Sequence, residues 1–266
     1  MPELAEVEYY RKCWNPGLRR KVQAVHCHGD KRIFREVHAS TLTAGLVGRI
    51  MRGSETHGKQ MLFRFSGGAC LGVHLGMSGK LFHANGGHDP GKHDHLVISF
   101  ACVSLVFQDY RQFGLLRFHN GPGLPKWWAA LPPGVLEEGF DLTRLNNALQ
   151  RRSRSPLKAA LLDQAFFPGI GNWMGDEILW RAGLHPSILA GNLGDTQILQ
   201  LFNRIKEVSA DALRVIGTNW EDPPQSWLFP HRWKDGGTCP RTGTPLVRER
   251  IGGRTTCYSL AAQPMP

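Results

Sequence analysis

The chain begins with MPELAEVE, residues 1–8, a stretch that combines the start of a helix with a reactive amine. If an aminopeptidase removes Met1, the chain begins at Pro2, whose α-nitrogen is then a free secondary amine. An α-amino group has a pKa of about 8, against about 10.4 for a lysine side chain, so part of it is unprotonated near neutral pH. Such an amine can attack a sugar carbon, and the adjacent Glu3 carboxyl can act as a general acid or base.

The same residues also suit a purely structural role. Proline and acidic residues are favoured in the first turn of a helix. Leu4, Val7 and Tyr10 recur at helical spacing until Asn15-Pro16-Gly17 interrupts the pattern. The sequence therefore predicts a helix of about twelve residues. By itself this stretch leaves both roles open.

The composition favours a polyanionic partner. The 266 residues include 32 Lys and Arg against 22 Asp and Glu, a formal charge of +10, which points to nucleic acid before a membrane surface. The chain has no apolar run of about 18 residues and no signal-peptide core at its N-terminus. We therefore expect a cytosolic, non-membrane protein.

The middle of the chain changes from strand patterns to helix patterns. Between residues 20 and 118, short apolar runs such as Leu62–Phe65 and Val103–Phe107 alternate with glycine-rich turns, which predicts a β-sandwich. Residues 119–133, rich in Gly, Pro and Trp, are expected to be a linker. Helical patterns follow Phe140. Asp141 is expected to cap a helix over 142–149, and Ser155 with Pro156 to start one over 157–164. Gly183 is expected to end the helix that runs through Trp180, and Asp195 or Thr196 to cap a helix that runs to Ile216. Residues 218–230 are expected to be irregular.

Residues 167–172, Phe-Pro-Gly-Ile-Gly-Asn, form a predicted tight turn that leads into a helix. The glycines on both sides of Ile170 allow close approach of a ligand, and the free N–H groups of a helix start suit a DNA phosphate. Asn172 adds an amide donor. The alternative is an ordinary corner between two helices.

The C-terminal segment is predicted to form a hairpin, with residues 245–251 and 254–258 joined by Gly252-Gly253. Cys239 and Cys257 each begin half of a C-x-x-C knuckle, but Thr242 and Leu260 occupy the second positions. Two thiolates make a poor structural site, so we predict no zinc. We expect the six cysteines to be reduced, and the sequence leaves open whether Cys239 and Cys257 can pair.

Several loop residues can contact DNA. Lys59 follows a glycine at a strand start and can hold a phosphate, although a solvated surface lysine has the same pattern. Met77, Arg111 and Phe113 lie in loops that contain glycine and can fill the space of an extruded base in a duplex. Core packing of Met77 and Phe113 is the alternative.

Seven motifs in the same order together resemble the formamidopyrimidine-DNA glycosylase / endonuclease VIII family over nearly the whole chain. The matching stretches are Pro-Glu-Leu-Ala-Glu-Val-Glu at 2–8, Gly-Lys…Leu-Phe at 58–63, His-Leu-Gly-Met-Ser-Gly at 74–79, Lys-His-Asp-His at 92–95, Asp-Tyr-Arg-Gln-Phe-Gly at 109–114, Gly-Ile-Gly-Asn and the following acidic helix at 169–177, and Gly-Gly-Arg-Thr-Thr at 252–256.

The resemblance implies an α+β fold in four segments. Residues 1–125 are expected to form a catalytic domain of an N-terminal helix plus a β-sandwich, and 126–140 a linker. Residues 141–230 correspond to a helical helix-two-turn-helix DNA-binding domain. Residues 231–266 correspond to a zincless-finger β-hairpin and tail.

The resemblance also implies a reaction: cleavage of an N-glycosylic bond, then β- and δ-elimination at the abasic site, without a metal or organic cofactor. The implied catalytic residues are Pro2 as the nucleophile, Glu3 as the acid that protonates the sugar ring oxygen, Glu6 as a support of the pocket, and Lys59 as a phosphate contact. The implied DNA-binding residues are Asn172, Gly171, Lys158 and Arg254, with Met77, Arg111 and Phe113 as the residues that fill the void. The implied partner is double-stranded DNA with damaged bases or abasic sites, bound by a monomer.

The sequence departs from the family pattern at several positions. Ala5 replaces a proline beside the nucleophile, and Tyr110 and Gln112 replace a proline and an arginine. Residues 217–230 do not resemble a loop that closes over an oxidised purine, so 8-oxoguanine is not assumed as the substrate. Three further readings stay open: a member specialised for an alkylated or bulky base, a catalytically silent protein that binds damaged DNA, and a general RNA-binding protein.

Overall fold

The computed structural model describes residues 1–265, which form two compact units. The first contains residues 1–2 and 6–131, and the second contains residues 3–5 and 132 onward. The change from one unit to the other at residues 131 and 132 falls inside the expected linker. Each unit has its own apolar core.

The first unit is a β-sandwich with short helices. Its elements are α1 (Leu4–Lys12, whose first two residues belong to the second unit), β1 (Ala24–Cys27), α2 (Ala39–Leu46), β2 (Met51–His57), β3 (Gln60–Phe65), β4 (Ala69–His74), β5 (Lys80–Asn85), β6 (Asp94–Ser99), β7 (Val103–Gln108), β8 (Leu115–Asn120) and α3 (Lys126–Ala129).

Two open antiparallel sheets make the sandwich, with strand orders β1-β6-β7-β5 and β2-β3-β4-β8. Alternate side chains of both sheets, among them Phe63 and Phe107, are fully buried in one core. Trp14 follows α1 into this core, and its Nε1–H group lies 3.2 Å from the carbonyl oxygens of both Phe82 and Val106. The predicted β-sandwich is confirmed.

The segment expected to be a linker begins with a packed helix. Trp128 of α3 is 9 % exposed, and the ring of Trp127 covers Gly72 so closely that a Cβ there would lie 2.4 Å from it. A four-residue helix between prolines has too few turns to show a helical period. For that reason the helix could not be predicted from the sequence pattern.

The second unit is helical and ends in a hairpin. Its elements are α4 (Leu142–Arg151), α5 (Leu157–Leu161), α6 (Asn172–Ala182), α7 (Asp195–Asn219), β9 (Val247–Ile251) and β10 (Arg254–Tyr258). Two predicted helix boundaries are confirmed. Asp141 caps α4 by accepting a hydrogen bond from the N–H group of Arg144 at 2.7 Å, and Gly183 ends α6 with a φ of 63°.

Two predicted caps are wrong. The N-cap of α5 is Pro156, because Ser155 accepts the N–H group of Ala190 and Pro156 pairs with Leu189 in extended geometry. The N-cap of α7 is Gly194, whose N–H group donates to the Gln197 side chain at 3.0 Å. Helix α5 also ends at Leu161, and α7 continues to Asn219, so both predicted end points shift.

The hairpin has the predicted register, with Arg254 opposite Ile251 and Tyr258 opposite Val247. Both turn residues have positive φ, 57° at Gly252 and 81° at Gly253, as a two-residue hairpin turn of type I′ requires. Across residues 1–265, none of the helices is both long enough and apolar enough to cross a membrane.

Candidate active site

The carboxylate of Glu3 is bound by the first turn of α6. Glu3 is 4 % exposed. Its Oε1 accepts the N–H group of Trp173 and its Oε2 accepts the N–H group of Met174, each at 3.0 Å. Amides in the first turn of a helix lack helical partners, and the helix dipole places positive charge there. The start of α6 therefore fixes this carboxylate by both of its oxygens.

The turn before α6 leaves space for Glu3. A Cβ on Gly171 would lie 2.2 Å from the Cδ atom of Glu3, so any larger residue would displace the Glu3 side chain. Gly169 has a φ of 93°, and its carbonyl accepts the N–H group of Leu4 at 3.0 Å. This turn thus leaves room for the Glu3 side chain and binds the backbone amide of Leu4.

This arrangement corrects one expectation from the sequence. The start of α6 is an anion site, as expected, but the anion is the Glu3 carboxylate, which occupies the amides that were assigned to a DNA phosphate. The glycine at 171 is likewise explained by Glu3. DNA contact by Gly171 and Asn172 remains a prediction, since nothing in the structure tests it.

Lys158 was expected to contact DNA, and the structure places it in the interior. Its side chain is fully buried. Its Nζ donates to the carbonyl oxygen of Asn172 and to Oδ1 of Asp176. Burial lowers the pKa of Lys158, and the nearby carboxylates of Asp176 and Glu3 oppose that shift. A lysine with no exposed surface supports its neighbours and cannot reach a phosphate in this conformation.

The hairpin lies against the helices through Asn172 and Gly252. Asn172 donates from Nδ2 to the carbonyl oxygen of Thr255 at 2.8 Å, and its buried Oδ1 has no hydrogen-bond partner among residues 1–265. A Cβ on Gly252 would lie 2.5 Å from that of Ala159 on α5. Arg254 is exposed directly after the turn, where a guanidinium can grip a phosphate.

Cys239, which precedes the hairpin, and Cys257, on β10, are buried free thiols. Burial alone would raise the pKa of Cys239, but hydrogen bonds from Thr242, Ser259 and Trp180 outweigh it and lower the pKa to about 7. Burial, with the charge of Asp176, raises the pKa of Cys257 to about 12. Within residues 1–265, His, Cys, Asp and Glu side chains form no group of three or more arranged to hold a metal ion.

The other proposed catalytic residues belong to the first unit. Pro2 is partly buried beside Met1, which is 57 % exposed, and Glu6 is partly buried in α1. Lys59 lies in the turn between β2 and β3. Burial, followed by the charges of Lys59 and Arg35, lowers the pKa of the nearby His74 to about 4. His74 is therefore neutral near neutral pH.

Met77, Arg111 and Phe113 come together at the surface of this unit. Met77 is 44 % and Phe113 36 % exposed, and the Arg111 guanidinium lies over the Phe113 ring at 4.8 Å from its centroid. The two loops touch, since a Cβ on Gly76 would lie 2.4 Å from the Phe113 backbone. Exposed apolar side chains beside a cation suit insertion into a duplex, and this role remains a prediction.

Asp109 organises these loops, a role that the sequence reading missed. Its carboxylate is fully buried. Oδ1 accepts the hydroxyl of Ser78 at 2.6 Å and the N–H group of Arg111 at 3.2 Å, and Oδ2 accepts the N–H group of Gly114 at 2.8 Å. The bond to Arg111 could have been predicted from the sequence, because an aspartate side chain often accepts the backbone N–H group two residues later.

The comparisons with known proteins agree with this geometry. Residues 1–116 match the family model of the formamidopyrimidine-DNA glycosylase N-terminal domain, and residues 131–222 match that of its H2TH domain. A formamidopyrimidine-DNA glycosylase from Carboxydothermus hydrogenoformans is 33 % identical over 97 % of this chain and 98 % of its own length. One from Moorella thermoacetica is 35 % identical over 94 % and 95 %.

Solved structures of the Lactococcus lactis Fpg protein are similar as well. Its complex with abasic-site DNA has a TM-score of 0.86, with 26 % identity over 99 % of this chain and 100 % of that one. Its complex with FAPY-dG DNA has a TM-score of 0.87 at the same identity and coverage.

Gly171→Ala tests the Glu3 contacts directly. The added methyl group collides with the Glu3 carboxylate, so the amides of Trp173 and Met174 lose their acceptors. We expect these amides to exchange with deuterium at least tenfold faster, because the loss of one charge-assisted hydrogen bond has about this effect. Gly194→Ala is the control, because a Cβ there has nothing within 4 Å. Unchanged exchange in Gly171→Ala would show that Glu3 does not bind these amides.

Asp109→Asn tests the organisation of the Met77 and Phe113 loops. An amide replaces one acceptor oxygen by a donor, so the N–H groups of Arg111 and Gly114 cannot both keep their partners. We expect faster deuterium exchange at residues 76–79 and 111–114. Asp89→Asn, an exposed aspartate in the same unit, should leave these amides unaffected; equal effects of the two substitutions would contradict the assigned role.

Proposed function

Because the chain belongs to the formamidopyrimidine-DNA glycosylase family, we propose that this base-excision-repair DNA glycosylase with AP lyase activity uses Pro2 as its nucleophile and Glu3 as its general acid. The observation that carries the assignment of Glu3 is its binding by the Trp173 and Met174 amides. The carboxyl next to the candidate nucleophile is thereby held in one place. Positioning of this kind is what a general acid needs.

The proposed reaction begins with removal of Met1, because a retained methionine would acylate the proline nitrogen. The Pro2 nitrogen attacks C1′, and the electrons of the N-glycosylic bond leave with the damaged base. The Glu3 carboxylate takes the proton that the alkylated Pro2 nitrogen loses and gives it to O4′ as the C1′–O4′ bond opens, which leaves an iminium between Pro2 and C1′. Loss of a C2′ proton expels the 3′ phosphate, δ-elimination expels the 5′ phosphate, and water releases the enzyme.

The surface residues supply the binding of DNA in this proposal. Lys59 and Arg254 contact phosphates, and Asn172 aligns the hairpin that carries Arg254. Met77, Arg111 and Phe113 fill the space left by the extruded nucleotide. Extrusion costs a few kcal/mol, which inserted side chains and phosphate contacts can offset. Glu6 supports the pocket. Lys158 stabilises the start of α6 from inside the protein through its bonds to Asn172 and Asp176.

The proposed substrates are ring-opened and oxidised bases in double-stranded DNA, and abasic sites. The names of the relatives and the FAPY-dG and abasic-site complexes of the similar structures support this choice. These relatives are bacterial, and we propose that the present protein acts as a monomer on chromosomal DNA in the cytoplasm. Two alternatives, a protein specialised for another lesion and a silent damage-binding protein, have no observation that favours them.

Borohydride trapping tests the chemistry at Pro2. Protein shown by intact mass to begin at Pro2 is mixed with a duplex that contains one abasic site and sodium borohydride. We expect a covalent protein–DNA adduct, which peptide mass spectrometry places on residue 2, because borohydride reduces the iminium to a stable amine.

The control is the same protein with the proline nitrogen blocked by an uncleaved N-terminal residue, which should form no adduct. An adduct on a lysine, or one that persists when the nitrogen is blocked, would contradict the role of Pro2. Tight binding of the duplex without any adduct would favour the silent damage-binding protein.

A further inference from the structure

Asp176, on the second turn of α6, is the centre of a buried network of charges. Its side chain is fully buried. Oδ1 accepts the Lys158 ammonium. Oδ2 accepts Nη2 of Arg232 at 2.6 Å, Nε of Arg232 at 3.1 Å and the N–H group of Cys257 at 3.1 Å. Four donors from three separate parts of the chain thus converge on one carboxylate.

The network is balanced in charge. Two cations, Lys158 and Arg232, lie with two carboxylates, those of Asp176 and Glu3, and all four residues are at most 5 % exposed. Burial of an unpaired charge is costly, and breaking a buried pair strands the remaining partner. Asp176 is therefore the residue that allows both cations to stay inside the second unit.

The partners of Asp176 also define its position in the fold. Cys257 lies on β10, three residues after Arg254, while Asp176 lies one turn after the amides that bind Glu3. The Asn172 bond to Thr255 and the Asp176 bond to Cys257 join the same helix to the same strand. One face of α6 is thus tied to the strand that begins with Arg254.

We propose that Asp176 is a positioning residue that holds the phosphate contact Arg254 in register with the Glu3 carboxylate. Arg232 contributes by anchoring Asp176 from the segment that leads into the hairpin. The hairpin is therefore tied to α6 by hydrogen bonds as well as by apolar packing. The proposal rests on the proposed function, because it gives Arg254 and Glu3 their roles in DNA repair.

The test is a double-mutant cycle on binding to a duplex with one tetrahydrofuran site, a non-cleavable abasic analogue. Arg232→Met removes the anchor but leaves Asp176 paired with Lys158, and Arg254→Ala removes the phosphate contact. We expect each single variant to weaken binding about tenfold, and the double variant to be within about twofold of Arg254→Ala, because residues that act through one another are not additive.

The control is Asp211→Asn, which removes a partly buried carboxylate of α7 that pairs with Arg181 and Arg214. It should leave the affinity unchanged within about twofold, because its partners Arg181 and Arg214 do not bind Asp176. Additive losses in the cycle, about a hundredfold in the double variant, would overturn the proposal, because they would mean that Arg232 acts independently of Arg254.

A second readout needs no DNA. In Asp176→Asn the amides of β10, above all that of Cys257, should exchange faster with deuterium, while residues 204–215 of α7 keep their protection. Unchanged exchange at Cys257 would overturn the proposal even if DNA binding falls. A wild-type protein that does not distinguish the tetrahydrofuran duplex from intact duplex would refute the proposed function instead.

Discussion

The contact on which the candidate site depends is the one between the Glu3 carboxylate and the first-turn amides of α6. It joins residues 170 positions apart in the sequence. It also explains several features of the site that otherwise look unrelated. Gly171 leaves room for the carboxylate, the Gly169 carbonyl receives the next amide, and Ala5 packs into the core of the second unit. Residues 3–5 thus belong to the unit whose helix binds them.

The positive charge of the chain is divided between two uses. Lys158 and Arg232 are buried and satisfied by Asp176, so they stabilise the second unit and are unavailable to a ligand. Arg254 and Arg111 are exposed and can meet phosphates. Net charge alone therefore overstates the DNA-binding surface. Whether a basic residue binds DNA depends on its burial and on its acidic partner.

The sequence predicts the local features well because their causes are local. Turn residues with positive φ specify the hairpin at Gly252, and alternating apolar residues specify the sandwich. It was less informative where the partner is distant. The start of a helix is expected to bind an anion, but the sequence does not show whether that anion is a phosphate or the Glu3 carboxylate. The burial of Lys158 could not be predicted, because its partner Asp176 lies 18 residues away. The role of Asp109 could not be predicted either, because it depends on contacts with two separate loops.

The most direct test of the central claim is a single-turnover assay of Gly171→Ala on a duplex with a ring-opened purine, with both proteins shown to begin at Pro2. The substitution displaces Glu3 but leaves Pro2 and the basic surface intact. The expected result is a loss of base release and strand cleavage of about a hundredfold, the lower end of the range for a general acid, with affinity for a tetrahydrofuran duplex nearly unchanged. Cleavage at the wild-type rate would contradict the claim that the Glu3 contact with α6 sets the activity.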